Sequence, residues 1–210
     1  IIEYIKNNNI DGDIVECGVW KGGNLICAQL YLNHLNLKKK IYGFDTFEGM
    51  TEPSEYDFQE FQIKNENKNL DSFVKKKNIK KMMELEDKNT NEGKNIWAYC
   101  SLENVKKYIK KKVPTNEVRL IKGPIEKTLL IKDNIPDKIS LLRLDTDFYV
   151  STKTELEILY PKLQNGGFLI IDDYGHWKGA RKAVDEFFRD KKPFVHVVDE
   201  TCRLIIKDNE

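Results

Sequence analysis

The chain has 210 residues, and 35 basic side chains against 34 acidic ones leave a formal charge of +1. That length fits one domain around one core, enough to bury about 70% of the unfolded surface. A composition of 40% hydrophobic and 33% charged residues excludes wholesale disorder and a bilayer-embedded chain, and no apolar run nears the ~20 residues of a membrane span. Balanced charge argues against nucleic acid as a partner. The opening IIEYIKNNN does not read as a secretory signal, and a start on Ile1 leads us to expect residues upstream. Cys17, Cys27, Cys100 and Cys202 form no CxxC and no zinc-like cluster, so reduced thiols in a cytoplasmic protein are expected.

Short runs rich in Val, Ile and Leu alternate with helical stretches, the pattern of buried parallel strands in an α/β sheet. A strand is expected over 13–19, then a helix over 23–35 and a strand over 40–45. From about 51 to 95, Glu, Lys and Asn dominate, which reads as an insertion, either a lid over a site or a flexible connector. A helix over 102–111 and a strand over 118–122 resume the core. Strands over 140–145 and 167–172 flank a helix over 152–162, with Asn165-Gly166-Gly167 as the turn out of that helix. A helix over 178–188 leads to strands over 194–200 and 203–207, joined so tightly around Thr201 and Cys202 that they form an antiparallel hairpin. The fold class expected is α/β, a doubly wound, mostly parallel sheet with a C-terminal antiparallel hairpin, in a single domain over 1–210.

Three groups of residues carry chemistry. The first strand runs through Glu16 into a turn holding Gly18 and Gly22 and straight into a helix, so the backbone can approach a ligand beside unpaired helix N–H groups. The turn lacks the third glycine of a dinucleotide fingerprint. Its leading acid would repel a pyrophosphate but attract the ammonium or sulfonium end of S-adenosylmethionine. An ordinary tight turn is the plainer alternative. Asp45 closes the second strand, where an acid can accept hydrogen bonds from a ribose diol or can simply cap. Asp145 and Asp147 close one late strand, and Asp172 and Asp173 close the next. Clustered at one sheet edge, such carboxylates repel one another and call for a cation, with oxygen ligands suited to Mg²⁺ or another hard divalent ion. Capping of helices, or pairing with Arg143 and Lys178, is the alternative.

These stretches resemble the macrocin O-methyltransferase (TylF/MycF) family of class I S-adenosylmethionine-dependent methyltransferases, which have a Rossmann-like sheet. The matching text is DGDIVECGVWKGGN at 11–24, YGFDTFEGM at 42–50, LLRLDTDFYVST at 141–152, LYPKLQNGGFLIIDDYGHWKGARKAVDEFF at 159–188 and a weaker KGPIEKTL at 122–129. The resemblance implies a methyl donor held by Glu16, Gly18, Gly22 and Asp45, with Gly123 and Ile125 beside it, and a divalent metal on Asp145, Asp172 and Asp173. It also implies a hydroxyl acceptor on a sugar or glycosylated small molecule, and suggests a homo-oligomer, although the residues carry no evident interface signature. Here Pro124-Ile125 stands where the family usually carries bulky aromatics, and Val150 replaces an acid. For the proton acceptor we expect Asp145 first and His176 second. The rival readings are a nicotinamide-dependent oxidoreductase, a metal-dependent phosphoesterase, and a non-catalytic module gripping RNA or an acidic glycan through its lysines.

Overall fold

The computed structural model describes residues 1–63, 73–77, 83, 97–113 and 118–208. In chain order the elements are α1 (Ile2–Asn7), β1 (Asp13–Cys17), α2 (Gly23–His34), β2 (Ile41–Asp45), β3 (Gln59–Ile63), β4 (Phe73–Lys77) and α3 (Leu102–Lys112). They continue as β5 (Val118–Lys122), α4 (Ile125–Thr128), β6 (Ile139–Leu144), α5 (Tyr149–Leu159), β7 (Leu163–Ile171), α6 (Lys178–Phe187), β8 (His196–Val197) and β9 (Arg203–Ile206). Seven strands form one sheet in the order β5-β2-β1-β6-β7-β9-β8, while β3 and β4 pair as a separate antiparallel ribbon. The first five run parallel, and β9 joins β7 antiparallel with β8 outside it. The expected doubly wound sheet and its antiparallel hairpin are therefore both present.

Strand periodicity explains the layers. Ile14, Leu141 and Phe168 pack with Leu25, Leu32, Val105 and Ile109 on the face covered by α2 and α3, whereas their neighbours Val15, Leu142 and Leu169 pack with Leu156, Leu159 and Val184 on the α5 and α6 face. Both faces are buried, so the strands read as continuous apolar runs rather than alternating ones. The crossovers from β1 lead to β2 on one side, while β6 enters on the other, so a crevice opens at the carboxyl ends of β1 and β6. No helix among the described residues is long and apolar enough to cross a membrane.

Several boundaries differ from expectation for physical reasons. β1 stops at Cys17 because Gly18 turns left-handed (φ +87°), so Val19 already belongs to the turn. α1 is too short for its periodicity to stand out, yet it buries Ile5 and sets Tyr4 edge-on to Phe168 at 5.4 Å. α5 begins at Tyr149 rather than 152 and passes into a 3₁₀ turn over Tyr160–Lys162. Asn165-Gly166-Gly167 is no turn: β7 starts at Leu163 and carries the glycines inside it, where the β6 pairing shifts register. The hairpin strands are shorter than expected, since Asp199 folds back on the amides of Thr201 and Cys202 to make the turn.

Of the expected insertion, residues 51–63, 73–77 and 83 are described and the rest lies outside the described residues. Its first part is fastened to the domain. Buried Asp57 accepts from the amide of Tyr149 at 2.7 Å through Oδ1, capping α5 from outside the helix, and through Oδ2 from Ser54. Gly179 makes room for it, because a Cβ there would collide with Asp57 Oδ1. Met83 is buried against Phe148, Trp177 and Ala180. Asp57→Ala should cost ~1 kcal/mol of stability, the usual worth of a helix cap, read as a lower urea midpoint. Gly179→Ala should cost at least as much, and unchanged midpoints in both would show that this docking does not hold.

Candidate active site

The site is built at the strand tips. Glu16 on β1 and Arg143 on β6 are direct partners in the parallel ladder, so their side chains leave the same sheet face side by side. Asp145, two residues past Arg143, shares that face. The ladder persists past the strands, with the Asp145 amide donating to the Cys17 carbonyl at 2.8 Å and that of Asp172 to Leu144 at 3.0 Å. One guanidinium consequently meets three carboxylates. Arg143 Nη1 donates to Glu16 Oε1 at 2.9 Å and to Asp145 Oδ2 at 2.6 Å, and Nη2 donates to Asp172 Oδ1 at 2.9 Å.

One positive charge does not balance this group. Burial pushes Asp145 up to about 8, with Arg143 opposing it and Asp173 and Asp172 adding to it. Burial drives Asp173 well above the usual carboxylate range, with Asp147 and Asp172 adding to it. Asp147 is pushed up to about 7 by burial and then by Asp145, although Trp177 Nε1 donates to it at 2.7 Å. Arg143 loses favour through burial, but Asp145, Glu16 and Asp172 more than restore its charge. Ligand oxygens of Asp145, Asp172 and Asp173 can lie within 4.8 Å of one another. Asp173 Oδ2 is buried with no hydrogen-bond partner among the described residues, an arrangement that costs free energy unless a cation or proton compensates it. The donor set, all hard oxygen, fits Mg²⁺.

A cavity of about 410 Å³ opens beside this cluster. Of the residues expected to hold a ligand, Gly18, Asp45, Gly123, Ile125, Asp145, Asp172, Asp173 and His176 all line it. Gly18 is pressed so close to Asp145 that a Cβ would collide with the Asp145 carbonyl, which sets the glycine turn directly against the carboxylate cluster. Glu16 and Gly22 lie behind the wall. Glu16 is buried, bonded to Asn24 Nδ2 at 3.0 Å and to Arg143, and pushed up to about 7 by burial. Gly22 is left-handed at the start of α2, where a Cβ would press on Val105 of α3. Asp45 Oδ2 accepts from the amides of Val19 and Trp20 at 2.8 and 2.9 Å, and Oδ1 from that of Phe47 at 2.7 Å. Its carboxylate thus fastens the first turn to the second, and a ribose diol would have to share those oxygens.

Sequence reading offers Trp177 with His176 only as a loop anchor and does not single out Trp20, Met50 or Trp97; all four give the cavity its apolar wall. Trp20 carried a signal, a large aromatic inside a glycine-rich turn; the structure holds it left-handed (φ +47°) and 46% exposed. Glu155 on α5 was missed as well. Thr146 Oγ1 donates to its Oε1 at 2.8 Å while its buried Oε2 has no hydrogen-bond partner among the described residues, and burial pushes it up to about 8. A carboxyl that is neutral in the fold and ionised in the unfolded chain stabilises the fold below the unfolded pKa, and that contribution is lost as pH rises through 8. Glu155→Gln mimics the neutral acid at every pH. The melting temperature of the variant should therefore gain on the parent between pH 5 and pH 8, and a gap independent of pH would show that Glu155 is ionised in the fold.

Comparison with known proteins agrees with this architecture. The chain is 30% identical over 191 residues to 8-demethyl-8-(2,3-dimethoxy-alpha-L-rhamnosyl)-tetracenomycin-C 4'-O-methyltransferase of Streptomyces olivaceus, covering 89% of this chain and 61% of that protein. It is 28% identical over 192 residues to demethyldecarbamoylnovobiocin O-methyltransferase of Streptomyces niveus, covering 89% and 62%. It therefore spans less than two thirds of the length of these curated relatives. The solved structure of the O-methyltransferase NovP superposes with a TM-score of 0.76 at 26% identity, over 99% of this chain and 76% of that one. The family model for macrocin-O-methyltransferase (TylF) matches residues 1–204, and the chain belongs to that family.

Proposed function

We propose that this protein is an S-adenosylmethionine-dependent, divalent-metal-dependent O-methyltransferase acting on a hydroxyl of a sugar or glycosylated small molecule. The observation that carries this reading is the convergence of Asp145, Asp172 and Asp173 on the same cavity wall as the Gly18 turn. The sugar acceptor draws support from the relatives' names, one of which specifies a rhamnosyl-bearing tetracenomycin. Four cysteines with no CxxC and no zinc-like spacing suit a reducing compartment, the cytoplasm.

S-adenosylmethionine, when bound, supplies an electrophilic methyl group, and a divalent cation on Asp145, Asp172 and Asp173 would supply Lewis-acid help to a weakly acidic hydroxyl. The chain's own residues do the rest. Gly18, Gly123 and Ile125 line the donor side of the cavity, with Glu16 and Gly22 setting the turn from behind and Asp45 tying it to the β2 turn. Trp20, Met50 and Trp97 exclude water around the reacting groups. Arg143 fixes one oxygen each of Asp145 and Asp172, which orients both carboxylates before any ligand arrives. Asp145 Oδ1 is our choice to receive the hydroxyl proton, and His176, on the same wall, is the second.

The test is incubation with labelled S-adenosylmethionine, Mg²⁺ and a panel of glycosides and nucleotide sugars, followed by mass analysis. Methylation of a glycoside is expected; labelling of none would overturn the acceptor class. Excess chelator should abolish turnover and Mg²⁺ should restore it, and turnover that survives chelation removes the metal from the mechanism. Asp172→Asn should lower turnover by at least ~100-fold while S-adenosylhomocysteine still binds by calorimetry. Asp45→Ala should weaken that binding at least ~10-fold by loosening the Val19–Trp20 turn, and unchanged affinity would defeat its assignment to the donor site.

A further inference from the structure

One buried acid has no part in the chemistry described so far. Glu155 on α5 is 0% exposed. The titratable groups that face it are Glu126 from α4, Asp145 and Asp173 from the tips of β6 and β7, and the Cys17 thiol from β1, every one of them an acid. An ionised carboxylate in these surroundings loses its water and meets negative charge, so the side chain is held neutral. A neutral carboxyl owns one proton. Oε2 is buried with no hydrogen-bond partner among the described residues, whereas Oε1 lies 2.8 Å from Thr146 Oγ1. Hydroxyl and acid can each donate or accept across that gap. With the threonine donating, the acid's own proton sits on Oε2 and meets no acceptor. With the acid donating from Oε1, that proton is used and the threonine's hydrogen is free to point elsewhere.

The threonine has somewhere to send it. Thr146 lines the cavity, and its backbone is fixed there, since its carbonyl accepts from the Phe148 amide at 2.7 Å and from Ser151 Oγ at 3.3 Å. Glu126, which faces Glu155 from α4, lines the cavity next to Ile125, on the side assigned above to the methyl donor. We propose that Glu155 is a positioning residue: its buried carboxyl donates to Thr146 Oγ1 and so turns the Thr146 hydroxyl hydrogen into the cavity, where it bonds an acceptor oxygen of the methyl donor. This inference rests on the donor site of the proposed function. The acid never touches the ligand. It acts by keeping one hydroxyl aimed and polarised before the ligand arrives. Ionised, the same carboxylate would draw that hydrogen inward and withdraw it from the cavity.

Calorimetric titration of the full chain with S-adenosylhomocysteine tests this arrangement. The amide of Glu155→Gln donates to Thr146 at every pH, so the affinity of that variant relative to the parent should rise at least ~3-fold between about pH 6 and about pH 9.5. Thr146→Val should weaken binding ~5-fold at about pH 6, and Thr146→Ser should recover it. In the Thr146→Val background, Glu155→Gln should leave the pH profile unaltered, because the acid acts only through that hydroxyl. A Gln-to-parent ratio that is the same at both pH values overturns the proposal, as does a pH-dependent ratio that survives in the Thr146→Val background. Unchanged affinity in a folded Thr146→Val overturns it too; should that variant lose its far-ultraviolet circular dichroism, the Gln-to-parent ratio decides alone. In each of these cases the parent still binds and the donor site stands. A parent that binds no S-adenosylhomocysteine at either pH overturns the donor site itself, and this inference with it.

Discussion

The site depends on one guanidinium held among carboxylates that would otherwise repel one another. Arg143 touches Glu16, Asp145 and Asp172 at 2.6–2.9 Å from a position only 18% exposed. Breaking such an arrangement by removing one partner leaves buried charge uncompensated, which is far more damaging than the net worth of the pair. The parallel register makes the contact unavoidable: Glu16 and Arg143 are neighbours across the ladder, and Asp145 and Asp172 follow at the tips of adjacent strands. Because Arg143 takes a single oxygen from each carboxylate, the cluster keeps acceptor capacity on the cavity side. Burial first, and the neighbouring carboxylates after it, hold Asp145 and Asp173 above the usual carboxylate range.

Much of this was legible from residue order. The strands with apolar residues on both faces, the glycine turn after Glu16 and the paired acids at two strand ends all follow from short-range chemistry, and the sheet brings Gly18, Asp145, Asp172 and Asp173 to one wall. What escaped has a common cause. Arg143 was weighed only as a competitor for the aspartates, because nothing local says that a charge inside an apolar strand will bridge three neighbours. Asp45 presents a strand-end acid in sequence, but whether it serves a ligand or backbone amides depends on a turn 25 residues away. Asn165-Gly166-Gly167 reads as a turn because a bulge inside a strand and a loop between elements use glycine for the same reasons, freedom at positive φ at Gly166 and close backbone approach at Gly167.

The segment after β2 links sequence that looks peripheral to the centre of the molecule. Asp57 reaches the amide of Tyr149 at the head of α5, and the Lys178 amide donates to the Phe58 carbonyl at 3.1 Å beside α6. Both helices start immediately after the acidic strand tips, so the same few residues that launch α5 and α6 also anchor residues 51–58. Changes of composition along this segment would be felt at the cavity through those two anchor points.

The aromatic wall has a practical corollary. The chain contains three tryptophans, and Trp20, Trp97 and Trp177 all border the same cavity. Indole emission from this chain therefore comes from the chamber's rim and lining. Occupancy can be followed in the unlabelled protein by quenching alone, and replacing the indoles one at a time would tell which part of the chamber each ligand reaches.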